Sequence, residues 1–360
     1  MYLSQFQTAI LYITMLALTF VLSQAAKKKN SFLPFALLLM VYVLIAGLRS
    51  ISVGIDTKNY AKLFETGEYI WLKDKGFIIF TDLFYKKTDV HTYLFVISLL
   101  TYTFTFIGIW GIRKHIDLPL TMTFYFACMF LPTLNIVRQS FAFSIVFLAL
   151  PLLFKNRYVL FILFVVLAST IHIVSFVAIL ILLFHIICTW SSKRRETKIM
   201  IVIFSLIAIA IGIVVFKTSL ETKVMNRIIA YFKKITFDFG FFGIAQFTFC
   251  LFYSIYVIFH SKEKYSESNT TLSVLTLVSS SGNLLGYVFK YLNRIFTNFG
   301  IFQYSAFSLL WKKDENNEIQ FDSKPNALFK VVALFLVFYP FISVLVRDGH
   351  EVMNYGMFFW

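Results

Sequence analysis

The strongest constraint on this chain is a succession of long apolar runs separated by short charged clusters. Crossing the hydrocarbon of a bilayer as a helix takes roughly 17–25 residues. Runs of about that size recur at 5–24, 32–48, 92–112, 119–136, 139–154, 157–170, 173–190, 199–216, 240–260, 271–289, 295–311 and 327–346. Two of them are unusual. The run at 157–170 is short and parted from the next only by Ile171 and His172, so it reads as a re-entrant helix or half of a broken one. The run at 295–311 carries Asn298 and Gln303 and could lie in the interface. Hydrophobic residues make up 59% of the chain and charged residues 14%, against about 45–50% and about 25% in soluble domains. One core cannot absorb that much apolar surface, so lipid must solvate part of it. The 45 phenylalanines read as membrane-facing bulk. The expectation is an all-α polytopic integral membrane protein of roughly 10–12 transmembrane helices. Residues 1–360 are expected to form a single transmembrane domain, with amphipathic helices in segments 49–91 and 217–239 on the outer face.

A formal charge of +15 could suggest a nucleic-acid partner, but the basic residues sit between spans and no soluble segment is long enough to form a binding domain. In a membrane protein such loops set topology and attract anionic headgroups. Met1–Ile10 has no basic residue and Lys27-Lys28-Lys29 follows the first run. That order is the reverse of a signal peptide's and suits an uncleaved span with its N-terminus outside. The loops at Lys27–Asn30, Arg113–Asp117, Lys155–Arg157, Ser191–Lys198, Ser261–Thr270 and Lys312–Lys324 then face the cytoplasm, each short and basic. Segments 49–91 and 217–239 remain as outer structure, with apolar and aromatic residues at helical spacing, as in helices lying on a membrane. Cys128, Cys188 and Cys250 lie singly in apolar runs and the histidines form no paired motif, so no metal site and no cofactor is expected.

Polar groups at membrane depth are costly and mark function by default. With this topology Arg49, Asp56, Thr57, Tyr60, Arg138, Gln139, His172, Asn293 and Arg294 all gather at the outer face. Arg138 lies in an apolar stretch beside Gln139 and Asn135, with no acidic neighbour in sequence. It suits a phosphate or diphosphate clamp, since a guanidinium fork matches phosphate oxygens. The free N–H groups of a helix start would add to the site, and Pro132 would help end the preceding helix. A snorkelling arginine is the plainer alternative. Asp56 follows Gly54, which permits close backbone approach; it either caps a helix beginning near Lys58 or takes a proton from a hydroxyl, and could pair with Arg49. His172 interrupts two apolar runs and suits a general base, although a lone surface histidine is more often structural. Asn293 with Arg294, and Arg227, are further candidates for phosphate or sugar contact. The C-terminal run Tyr355–Trp360 reads as an interfacial aromatic anchor.

Gly47-Leu48-Arg49 followed by Val53-Gly54-Ile55-Asp56-Thr57 and Tyr60 resembles the opening motif of the EpsG family of bacterial membrane proteins. Lys75-Gly76-Phe77, Arg138-Gln139, His172 with Ser175, Asn293-Arg294 and Asn354-Tyr355 to Trp360 resemble its later elements, so the likeness covers nearly the whole chain. Asn354 stands where many relatives have proline. The resemblance implies a Wzy-like polymerase of exopolysaccharide, capsule or O-antigen in the bacterial inner membrane, with its active face outward. The implied substrate is an undecaprenyl-diphosphate-linked oligosaccharide, and a flippase and a chain-length regulator are implied partners besides membrane lipid. Arg138 would clamp the diphosphate, Arg49 and Arg294 would assist, and Asp56 or His172 would act as base. Thr57, Tyr60, Gln139 and Asn293 would help bind substrate. Diphosphate is already a good leaving group and no acidic cluster points to a metal. The rival readings are a lipid-linked oligosaccharide flippase, another membrane glycan ligase or acyltransferase, and a structural subunit of a synthesis complex. A flippase would favour midplane polar groups and internal repeats, which the sequence does not clearly carry.

Overall fold

The computed structural model describes residues 2–191, 241–288, 296, 299–313, 318–347, 352–353 and 355–357. Among these every regular element is helical, and β pairing is confined to isolated bridges. The helices are α1 (Gln5–Lys29), α2 (Phe32–Gly47), α3 (Ile55–Thr66), α4 (Lys75–Asp82), α5 (Val90–Gly111), α6 (Leu118–Tyr125), α7 (Val137–Leu153), α8 (Tyr158–Ile171), α9 (Ile179–Ser191), α10 (Phe241–His260), α11 (Glu263–Val288), α12 (Gly300–Ser308) and α13 (Ala327–Arg347). By length and composition α1, α5, α10 and α13 can cross a membrane, and shorter apolar helices of 10–17 residues occur at α2, α6, α7, α8 and α9. Side chains such as Phe6, Val159 and Val346 are more than 70% exposed, which only lipid makes inexpensive. The protein is an all-α polytopic membrane protein. The run at 199–216 and the segment at 217–239 lie outside the described residues, as do Arg227, Asn293 and Arg294.

Local signals set most helix ends. Ser4 and Gln7 form a reciprocal capping box at the start of α1, and Asp89 accepts from the N–H groups of His91 and Thr92 at the start of α5. These satisfy amide groups that would otherwise be orphaned. α1 outlasts its apolar run and ends on Lys27, Lys28 and Lys29, with Asn30 left-handed behind them. Cations suit a helix C-terminus.

The residues cluster into two compact units, Met1–Leu182 with Ala333–Trp360, and Leu183–Val332. Unit 1 is held by close helix approach and aromatic packing. A Cβ on Gly108 of α5 would come 2.1 Å from the Phe147 carbonyl of α7, the small-residue contact that lets membrane helices meet. Phe35, Tyr42, Tyr102, Phe106, Phe126 and Phe130 form a buried aromatic cluster with ring centroids 4.8–5.7 Å apart. The expectation that phenylalanine is lipid-facing bulk therefore holds only in part. Phe6 and Phe335 point outward, whereas many others join helices to one another. Val352, Met353, Tyr355 and Gly356 form a buried strap. Val352 and Gly356 carbonyls accept from Tyr12 and from the Ser50 N–H, and the Tyr355 hydroxyl donates to the Ile45 carbonyl at 2.5 Å. Tyr355 is 1% exposed. The interfacial anchor expected there is thus an internal clamp at Tyr355, because its hydroxyl finds a helix-end carbonyl inside the protein; Phe358–Trp360 lie outside the described residues.

In unit 2, α10 and α11 form a hairpin. The segment Ser261–Thr270, expected as a loop, is a turn at Ser261-Lys262 followed by the start of α11. Hydropathy misreads it because Ser266, Asn269 and Thr270 are polar yet buried. Such hydroxyls bond back to their own helix, as Thr276 does to the Leu272 carbonyl and Ser281 to that of Leu277, both at 2.7 Å, so they tolerate a helical interior.

Candidate active site

The sequence candidates fall at helix boundaries, and unit 1 brings those boundaries to one end. Arg49 follows α2, Asp56 and Thr57 open α3, Arg138 and Gln139 open α7, and His172 closes α8. The opposite end joins basic loops: Lys27 pairs with Asp117 at 2.5 Å, and His115 stacks on Phe154 with centroids 4.4 Å apart.

The hub is the stretch between α6 and α7. α6 continues through a π-helical turn at Phe126–Phe130 and one turn at Leu131–Thr133, where Pro132 sits. The chain then kinks at Leu134–Ile136 and restarts as α7. The Leu134 carbonyl accepts from the Thr57 hydroxyl at 2.8 Å and from Arg49 at 3.4 Å. The Asn135 side-chain oxygen accepts from the Asp56 N–H at 2.7 Å. Gly54 precedes this contact with φ +90°, and a Cβ there would lie 2.7 Å from the Leu134 oxygen. Glycine is the residue that meets both demands. Asp56 does not cap α3, as one sequence reading had it. Gly54 holds the cap position and Asp56 stands in the first turn, where a carboxylate suits the helix dipole. Among the described residues the Asp56 side chain makes no ion pair with Arg49 or any other cation.

Arg49 is turned inward and is 3% exposed. Its guanidinium donates to the Ala46 carbonyl, to Ser98 Oγ at 3.2 Å, to Thr57 Oγ1 at 3.4 Å and to the Leu134 carbonyl. Two of these are carbonyls at helix ends, whose partial negative charge offsets the buried cation. The cavity beside Arg49, lined also by Ser98, Thr101, Tyr102, Thr133 and Ser140, measures about 10 Å³. That is room for one water-sized group, not a diphosphate.

Arg138 differs. It is the second residue of α7, whose cap position, Ile136, supplies no side-chain acceptor to the first-turn amides. Its Nη1 pairs with Asp74 Oδ2 at 2.8 Å while the side chain stays 17% exposed. Its guanidinium lies 5.7 Å from the centroid of Phe77 and 6.0 Å from that of Tyr60, within cation–π range. Burial raises the Tyr60 phenol above its ordinary pKa, and the Arg138 charge works against that rise. Gln139 is buried and engaged by a neighbour.

His172 ends α8 in extended backbone, and its Nδ1 accepts from the Val174 N–H at 3.2 Å, so it caps the following 3₁₀ turn at Ile173–Ala178. The next amide, Ile173 N–H, donates to Asp74 Oδ1 at 3.2 Å. Asp74 therefore joins Arg138 to the His172 break. It was not among the sequence candidates, because between Lys73 and Lys75 it reads as part of a solvated charge run. The one clue was its position just before Gly76-Phe77. Gly76 has no room for a side chain, since a Cβ would meet Thr170 Oγ1 at 2.2 Å; the start of α4 is pressed against the end of α8. Among the described residues no three His, Cys, Asp or Glu side chains converge as a metal site would require.

The profile of the EpsG family matches residues 32–357. It spans every element of this cluster and leaves out α1 and the last three residues. No curated protein matches the chain, and no solved structure does.

Proposed function

The chain belongs to the EpsG family, which implies a polysaccharide-polymerase-like membrane protein, and from that premise we propose that it joins undecaprenyl-diphosphate-linked repeat units into exopolysaccharide, capsule or O-antigen. The observation that carries the reading is Arg138: a partly exposed guanidinium at an uncapped helix start, flanked by aromatic rings. This is the arrangement a diphosphate calls for, with a fixed fork and aligned amide dipoles.

In the reaction an acceptor sugar hydroxyl attacks the anomeric carbon of the lipid-linked glycan. The new bond is carbon to acceptor oxygen, the broken bond is carbon to diphosphate oxygen, and undecaprenyl diphosphate leaves with the electron pair. Arg138 stabilises the charge that develops on the leaving oxygens. Asp56 or His172 receives the hydroxyl proton. The carboxylate of Asp56 is not engaged by a cation among the described residues, and His172 caps the following turn through Nδ1. Thr57 and Arg49 support the site from behind by holding the Leu134 kink. Tyr60 and Gln139 add substrate contacts on this reading, while Asn293 and Arg294 stay candidates from the sequence and lie outside the described residues. No metal is needed on this reading, because the leaving group is already activated. The site faces outward from the bacterial inner membrane, where the flipped substrate, a flippase and a chain-length regulator would meet it.

The test is Arg138→Ala in a polymer-forming cell whose native copy is deleted. Long glycans should disappear while single repeat units still reach the outer face, with a drop of about 100-fold or more in polymerisation, as for loss of one transition-state donor. A normal ladder from a well-expressed variant removes Arg138 from the mechanism, and units trapped inside the cell would point to a flippase instead.

A further inference from the structure

Asp74 stands at the position before α4 where a carboxylate ordinarily caps its own helix, yet it makes no such bond. Both of its oxygens reach across to other elements. Oδ2 takes Arg138 Nη1 at 2.8 Å, and Oδ1 takes the Ile173 N–H at 3.2 Å. The side chain is 10% exposed, and the backbone beneath it is fixed by the Gly76–Thr170 contact. A carboxylate diverted from its local role, partly desolvated and locked at both ends, orients what it touches. Arg138 Nε is buried with no partner, and the ion pair that fixes the guanidinium is the one with Asp74.

We infer that Asp74 is a positioning residue that aims Arg138 and moderates its charge, a role that rests on the diphosphate reading of the site. Two consequences follow from its double contact. The pair fixes the plane of the fork while the Ile173 bond holds the His172 turn in register with it, so the clamp and one candidate base share a single anchor. Asp74 also repels any anion that Arg138 attracts. An unpaired arginine in this partly buried position would hold the diphosphate tightly before and after reaction alike. Uniform binding of that kind lowers KM without raising kcat, and it slows release of undecaprenyl diphosphate. Asp74 keeps Arg138 available to the transition state and willing to let the product go.

Asp74→Asn keeps the shape and removes the charge. In the purified full-length protein, inorganic pyrophosphate should bind the variant about tenfold more tightly than wild type. In a polymerisation assay KM and kcat should fall together. Asp74→Glu should restore wild-type affinity. A merely structural role moves neither affinity upward nor KM downward; it would weaken binding and lower the yield of folded protein. Asp74→Ser keeps a hydroxyl near the Ile173 N–H and carries the same expectation, which covers the case in which the asparagine variant does not fold. Wild-type binding of pyrophosphate with equal or weaker binding in the variants overturns the role of Asp74 and leaves the diphosphate site standing. No binding of pyrophosphate by wild type or by any of these variants, or binding that undecaprenyl diphosphate does not displace, overturns the diphosphate reading and this inference with it.

Discussion

Arg49 and Arg138 sit at the same end of unit 1 and are joined through the Leu134–Ile136 kink, yet their surroundings have little in common. Arg49 is sealed, and it spends its donors on two helix-end carbonyls and two hydroxyls. Arg138 is partly open, and its polar partner is a carboxylate that a competing anion can replace. A guanidinium with neutral partners in the interior acts as a multi-point clasp. A guanidinium with an anionic partner at an opening is set up to exchange it. The lesson is that a polar residue flanked by apolar sequence marks importance, while the partner it finds decides whether that importance is architectural or chemical.

The comparison breaks most visibly at Arg49. Arg49→Ala should leave Ser98 and the Ala46 carbonyl without their donor and open a void, at a cost of about 3–5 kcal/mol. Detergent-solubilised protein should show a large loss of thermal stability and yield. Arg49→Lys should not rescue it, since an ammonium cannot span four acceptors with a planar fork. An Arg49→Ala variant with unchanged stability but no polymer would put both arginines in the chemistry and erase the distinction.

A smaller effect is expected where α4 meets α8. Gly76→Ala forces a Cβ against Thr170, at about 1–3 kcal/mol as in other overpacked contacts. The start of α4 should shift and carry Asp74 away from Arg138, so activity should fall more than stability does. Paired melting and polymerisation assays measure this, and equal losses in both would mean that α4 is only packing. The smallest effect is expected at the C-terminal strap. Tyr355→Phe removes one buried hydroxyl bond to Ile45, about 1 kcal/mol. Since the strap supports the Arg49 side, polymer length should be unchanged.

How much of this was legible in sequence can be traced residue by residue. Apolar run length fixed the helical spans to within a few residues for α2, α5, α7, α8 and α13, because a helix in lipid must satisfy its own backbone. It misjudged only the first two turns of α11, Glu263–Thr270, whose charged and polar residues look like loop to a hydropathy count, while the span at 271–289 matches the rest of that helix. Gly54 was legible as a close-approach glycine. Arg138 was legible as a polar residue at a helix start. That Gly54 and not Asp56 holds the cap was not, since this depends on the positive-φ backbone at Gly54 and its close approach to the Leu134 carbonyl.

Sequence by itself thus determined a membrane protein, its helices and a set of boundary residues resembling the EpsG family, because periodicity and run length are local properties. Tertiary structure alone decided which boundaries meet: that Asp74, 64 positions before Arg138 in the numbering, neutralises it, that Arg49 faces inward, and that Tyr355 is a clamp. Those outcomes depend on pairing across distant segments, and the free energy of a charge is set by the partner it is folded against.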